Sequence, residues 1–293
     1  MVGLRKETVE MKMKFGANTL IWVLSFTEKD FPLLDKIASM GFDVVEITPG
    51  AEFKNIDPGK LRKKLEDLGL GVSMCGGLDA SQDYSSDDAS IRENGIQFMI
   101  DWAHWSHEVG ARIIGGPLYS ELGKKRYLSA EERKAEWDRS AESLKRVGDG
   151  IAKYDVTIAL EPINRFEIDM INTSWQAFDM CEQVNHPNIK LMLDTFHMNI
   201  EDRDLAEAIR SCKKHLVHFH TCSNYRGIPG EDHIPWSDVR KALNDVGYEG
   251  FGVIESFAQG QVAAFANIWR PLVDDQDDIP RKGLQFLRKA LAS

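Results

Sequence analysis

From Phe15 onward, short apolar runs alternate with longer segments of helical period, eight times over. Parallel strands need a crossover between them, and a helix is the usual crossover, so this alternation specifies a parallel sheet covered by helices. The predicted strands are Phe15 to Leu20, Val44 to Ile47, Gly71 to Cys75, Ala111 to Gly115, Thr157 to Glu161, Ile189 to Asp194, Leu216 to Thr221 and Gly252 to Glu255. The predicted helices are Phe31 to Met40, Pro58 to Leu68, Ala89 to Val109, Ala130 to Lys153, Ser174 to Val184, Asp202 to Ser211, Trp236 to Val246 and Ile279 to Leu291. Start signals precede several of them: Asp30 before Phe31, Asp57 before Pro58, and Ser129 with Glu132 as a capping box. Gly41, Gly69, Gly110 and Gly247 stand where helices should stop. No G-x-G-x-x-G follows the first strand and no Gly/Ser/Pro-rich linker divides the chain, which favours a single-domain (β/α)8 barrel over a doubly wound sheet. The barrel is expected over residues 15–293, after a flexible extension of residues 1–14 in which Met11 or Met13 is an alternative start.

Composition excludes several classes of function. With 46 acidic and 36 basic side chains the 293-residue chain carries a formal charge of −10, a poor match for a phosphate backbone, so nucleic acid is not expected as a partner. No apolar run reaches the roughly 18 residues of a membrane helix, and residues 1–14 lack the apolar stretch of a secretory signal. The four cysteines, Cys75, Cys181, Cys212 and Cys222, form no C-x-x-C pair and read as reduced thiols of a cytoplasmic protein.

In a barrel of this kind catalytic groups stand at the C-terminal ends of strands. Four consecutive predicted strands end that way: Glu161 on the fifth, Asp194 on the sixth, His220 on the seventh and Glu255 on the eighth. With side chains alternating at period two, all four would point into the barrel mouth. Three carboxylates sharing a desolvated site repel one another, and a divalent cation removes the conflict. Three oxygen donors and one nitrogen suit Mn²⁺ or Mg²⁺ better than a structural zinc site. His218 shares the parity of His220 one layer deeper and reads as a core histidine. His197, Glu167 and Arg226 lie in loops beyond strand ends, where a substrate contact and a plain surface role are both open. Trp22, Cys75 and Tyr119 are candidate pocket-lining residues.

At these positions the sequence resembles the ketose 3-epimerases of the D-tagatose/D-psicose (allulose) 3-epimerase family, within the xylose-isomerase-like barrels. The matching segments are 159–167 (ALEPINRFE), 193–199 (LDTFHMN), 218–220 (HFH), 224–226 (NYR) and 253–255 (VIE). The resemblance implies a metal-dependent isomerase that epimerises free ketoses at C3 through a cis-enediolate. It implies Glu161, Asp194, His220 and Glu255 as ligands of Mn²⁺, with Mg²⁺ or Co²⁺ as substitutes, and Glu161 and Glu255 as the catalytic acid-base pair. Glu167, His197 and Arg226 would then hold the O1 and O2 end of the sugar, and the chain would assemble as a homo-oligomer, a dimer or tetramer. Two departures fall in loops that would face the distal carbons: segment 115–120 (GGPLYS) is not followed by a tryptophan-bearing stretch, and segment 256–259 reads SFAQ. Competing readings are another sugar isomerase or an inosose dehydratase-type lyase on the same barrel, an abasic-site endonuclease, which the acidic charge opposes, and a non-catalytic sugar-binding barrel.

Overall fold

The computed structural model describes residues 13–257 and 260–291. Eight parallel strands close on one another in chain order: β1 Lys14–Asn18, β2 Val44–Ile47, β3 Gly71–Cys75, β4 Ile113–Gly116, β5 Thr157–Leu160, β6 Ile189–Asp194, β7 Leu216–His220 and β8 Phe251–Ile254. Helices surround them: α1 Phe31–Ser39, α2 Pro58–Leu68, α3 Ala89–Val109, α4 Ala130–Ile151, α5 Ser174–Val184, α6 Thr195–Glu201, α7 Leu205–Ser211, α8 Trp236–Val246, α9 Gly260–Phe265 and α10 Asp278–Leu291. The expected (β/α)8 barrel is therefore the observed one. Of the expected N-terminal extension, residues 1–12 lie outside the described residues; Met13 is already buried and Lys14 opens β1.

Local chemistry accounts for most boundaries. Asp57 accepts hydrogen bonds from the Gly59 and Lys60 amides and starts α2, and Ser129 with Glu132 forms the anticipated capping box of α4. Gly69, Gly110 and Gly247 end α2, α3 and α8 in the left-handed region. Asp30 differs from expectation: its carboxylate accepts from the amide and hydroxyl of Thr27, 2.8 Å each, and makes no cap to α1. The helix expected from Asp202 begins at Leu205, because the segment after β6 coils at once into α6, whose first turn is capped by Asp194 through the Phe196 amide at 2.8 Å. Among the described residues no helix is long and apolar enough to cross a membrane.

The apolar core fills both the barrel and the layer between strands and helices, with Phe15, Ile114, Leu191 and Phe219 among side chains shielded from solvent. Close approach governs the top of β3 and β4. Gly116 has φ +131°, and a Cβ placed there would stand 2.0 Å from the Gly76 carbonyl oxygen. A side chain at that position meets backbone, which has nowhere to move. Gly116→Ala is thus expected to lower unfolding free energy by more than about 2 kcal/mol in urea titration; an unchanged midpoint would show that β4 can shift away from β3.

Candidate metal centre and sugar cleft

Glu161 follows β5 directly, Asp194 and His220 end β6 and β7, and Glu255 follows β8; all four are buried. They converge. His220 Nδ1 lies 3.7 Å from Glu161 Oε1, 3.9 Å from Asp194 Oδ2 and 3.6 Å from Glu255 Oε2. A register shift in the β6–β7 ladder makes this alignment. Leu191 pairs with Leu216 but Met192 pairs with His218, so Val217 is the extra residue and Asp194 stands beside His220. Without the shift Asp194 would stand beside Phe219, whose side chain belongs to the opposite face.

Beneath the cluster is a carboxylate that the strand-end argument missed. Glu46, on β2, has no exposed surface and accepts four hydrogen bonds: Asn18 Nδ2 at 2.9 Å and His220 Nε2 at 2.7 Å on Oε1, Ser73 Oγ at 2.9 Å and His218 Nε2 at 2.7 Å on Oε2. Burial pushes its pKa up, but the two imidazoles outweigh burial and hold the carboxyl well below the usual range. The available signal was a lone acid within the apolar run 44–47 (VVEI). His218 is a core histidine bonded to Glu46 through Nε2, but it is not fully satisfied as expected, since its buried Nδ1 has no hydrogen-bond partner among the described residues.

The loop residues complete the mouth. Arg226 Nη1 donates to Asp194 Oδ2 at 2.6 Å and lies 3.0 Å from Glu255 Oε2, while its guanidinium sits 4.1 Å from the Phe196 ring centroid and 5.3 Å from that of Phe257. Its backbone takes φ +64°, and its carbonyl accepts from the Ser256 hydroxyl. His197 Nδ1 accepts the Asn164 backbone amide at 3.1 Å and faces the Asn164 side-chain nitrogen at 3.0 Å, which also donates to Glu167 Oε1 at 2.6 Å. The His197 proton therefore belongs on Nε2. Arg226 Nη2 stands 3.0 Å from that same nitrogen, so two N–H donors meet side by side and one oxygen acceptor lying against both would satisfy them.

A cleft of about 700 Å³ opens above these groups and is lined by Glu161, Glu167, His197, Arg226 and Glu255, with Cys75 beside them. Trp22 and Tyr119 do not line it, correcting the sequence reading. Trp22 donates its indole N–H to Asp277 at 2.6 Å, and Tyr119 lies fully buried behind the wall with its hydroxyl donating to the Ile171 carbonyl at 2.8 Å. Leu20, Leu24, Leu78, Phe98 and Trp102 supply the apolar wall instead. Of the departing segment 256–259, residues 258 and 259 lie outside the described residues.

The donor set fits a divalent cation. Glu161 Oε1 and His220 Nδ1 are buried with no hydrogen-bond partner among the described residues, and both belong to the converging cluster. Three carboxylates and one imidazole around one point are an oxygen-rich ligand set of the kind manganese and magnesium prefer. Cys222 also approaches Asp194, His220 and Glu255, but its thiol faces the Glu255 carbonyl at 3.2 Å and receives Arg226 at 3.2 Å.

Comparison with known proteins identifies the family. The family model for the xylose isomerase-like TIM barrel matches residues 34–290. The D-psicose 3-epimerase of Ruminiclostridium cellulolyticum is 35% identical over 271 residues, which cover 91% of this chain and 92% of that protein. A probable ketose 3-epimerase of Synechocystis sp. is 32% identical, covering 95% of this chain and 96% of that one. The crystal structure of D-psicose 3-epimerase from Clostridium cellulolyticum H10 with D-tagatose superposes with a TM-score of 0.88 at 32% identity, covering 96% of this chain and 100% of that chain.

Burial first, then the Arg226 charge, pushes the His197 imidazole down to about 3. In the folded state it takes up a proton only near that pH, whereas a free imidazole does so near 6.5. The His197 ring resonances are accordingly expected to stay constant from pH 8 to pH 5 in an NMR titration; a midpoint between 6 and 7 would contradict the enclosed, neutral ring.

Proposed function

We propose that this chain, which belongs to the xylose isomerase-like TIM barrel family and groups there with the ketose 3-epimerases, interconverts free ketoses at C3. The observation that carries the reading is the set of three carboxylates and one imidazole at the ends of β5 to β8, with two donors and a further carboxylate beside them. Glu161, Asp194, His220 and Glu255 would hold the divalent cation, Mn²⁺ first and Mg²⁺ or Co²⁺ as substitutes, which when bound supplies Lewis-acid polarisation of the substrate oxygens.

The protein's own groups divide the remaining work. His197 Nε2–H and the Arg226 guanidinium donate to the oxygens at the O1 and O2 end of the ketose, and Glu167 accepts from a hydroxyl there. Burial raises the Glu167 carboxyl above its ordinary range, against the pull of Arg226. Glu161 and Glu255 come from β5 and β8, which are not neighbours in the barrel, and that separation lets them bracket C3. One carboxylate removes the C3 proton, the electron pair passes toward C2 and its oxygen as a cis-enediolate, and the other carboxyl, protonated at the start, delivers its proton to the opposite face. The apolar wall keeps bulk water from the carbanionic carbon. Four free, buried cysteines support a cytoplasmic setting.

The decisive experiment incubates chelated and Mn²⁺-reloaded protein with ketohexoses and ketopentoses in D₂O. Epimers carrying deuterium at C3, formed only after reloading, are expected. Activity of a rigorously metal-free preparation would overturn the cation site, product without solvent deuterium would overturn the two-base mechanism, and aldose or dehydrated products would favour the rival isomerase or lyase.

Arg226→Ala should lower kcat/KM roughly 10- to 100-fold, the size of losing charge-assisted hydrogen bonds to substrate. Because Arg226 competes for Asp194 and Glu255, the variant is expected to retain its metal by elemental analysis. Wild-type efficiency in the variant would remove Arg226 from substrate binding.

A further inference from the structure

We propose that Glu46 is the positioning residue of the metal centre: it holds the His220 proton on Nε2 and so presents the Nδ1 lone pair to Glu161, Asp194 and Glu255. The inference rests on the cation-site reading above and concerns the layer beneath it.

An ionised carboxylate only accepts hydrogen bonds, and Glu46 has both oxygens saturated by four donors from three strands of the barrel. Asn18 on β1 and Ser73 on β3 grip it from the two neighbouring strands. Across the barrel, His220 and His218 on β7 each turn Nε2 toward it at 2.7 Å. Each ring must therefore carry a proton on Nε2, and a neutral ring then has a bare Nδ1. In His220 that Nδ1 is buried, has no hydrogen-bond partner among the described residues, and stands 3.6 to 3.9 Å from three carboxylate oxygens. Those separations exceed hydrogen-bond length and suit ligands gathered around one ion.

A carboxylate behind a ligating imidazole fixes the tautomer, fixes the ring plane and raises the basicity of the ligating nitrogen. A residue serving only to fill this layer would not need a charge, since burying a carboxylate is costly unless every lone pair is used. Glu46 touches neither the cleft nor any carboxylate of the cluster in the described contacts; its route to the site is His220.

The test is metal affinity of the metal-free full-length protein, measured by calorimetric titration with Mn²⁺, for wild type, Glu46→Gln and His218→Asn. Glu46→Gln should weaken binding 10- to 100-fold. His218→Asn removes the other imidazole bond to the same carboxylate and the edge-on ring contact with His220 but leaves the His220–Glu46 bond in place, and its affinity should stay within a few-fold of wild type. Equal loss in both variants, or none in Glu46→Gln, would overturn the positioning role while leaving the cation site in place; no binding by wild type would overturn both. A second measurement needs no variant: ¹⁵N shifts of His220 in Zn²⁺-loaded wild type should show the proton on Nε2, and a proton on Nδ1 would overturn the proposal even if Glu46→Gln fails to fold.

Discussion

Three carboxylates enclosed at one end of a barrel repel one another, and much of the polar architecture answers that repulsion. For Glu161 burial is the largest influence, and although His220 opposes it, Glu255 and Asp194 add to it, so the carboxyl is pushed well above its ordinary range. Asp194 goes the other way: burial disfavours its charge, but the Arg226 guanidinium beside it holds it well below. The two acids thus differ because one has Arg226 at 2.6 Å and the other has an oxygen with no partner. That shortage of positive charge is the electrostatic reason a divalent ion would fit here, and Arg226, set between two aromatic rings, supplies only part of it.

The barrel and the convergence of its four strand-end polar groups were legible because both obey short periods. Period two places Glu161, Asp194, His220 and Glu255 on inward positions, and an acid at the end of an apolar run is visible without any long-range information. Glu46 was not legible by that rule. It lies inside its strand, and its meaning depends on His218 and His220, 172 and 174 residues later, meeting it across the barrel. The register shift in β7 is equally hidden, since nothing about Val217 in the run LVHFH marks it as the residue without a partner. Trp22 and Tyr119 failed for a different reason: each has a polar tip, and each tip found a partner, Asp277 or the Ile171 carbonyl, outside the cleft. The loop residues Glu167, His197 and Arg226 carried no periodic signal; family resemblance raised them, and the structure gathers all three around the same cleft.

Away from the reacting end, the cleft is shaped by loops that charge holds together. Lys124, nearly buried, places its ammonium 2.7 Å from Asp83, from the Ser85 hydroxyl and from Glu136. Arg126 joins Glu136 at 2.7 Å and Asp169 at 3.0 Å, and Arg133 reaches both acids as well. Three cations therefore face three acids, linking the segments that follow β3, β4 and β5. The backbone adds a bridge between Leu78 and Glu121, and Leu122 donates to the Leu78 carbonyl at 2.9 Å. Leu78, Leu122, Gly123 and Lys125, all cleft-lining, are carried by these tied segments.

The two ends of the cleft are consequently fixed by different physics. At the candidate cation site Asp194 and His220 are held in the β6–β7 ladder, and Glu161 and Glu255 directly follow β5 and β8, so the register of the strands allows these groups little freedom. The far wall depends on ion pairs between segments far apart in sequence, and their value lies in geometry more than in stability, because burying the charges offsets much of their attraction. Partial burial shields Lys124, Asp83 and Glu136 from salt, so the wall is not a mobile surface loop in the ordinary sense. Losing one partner would leave the others enclosed and uncompensated, which couples the shape of the far wall to every member of the network. The strand ends that place Glu161 and Glu255 lie outside that network, so the position of these two carboxylates does not depend on the ion pairs of the far wall.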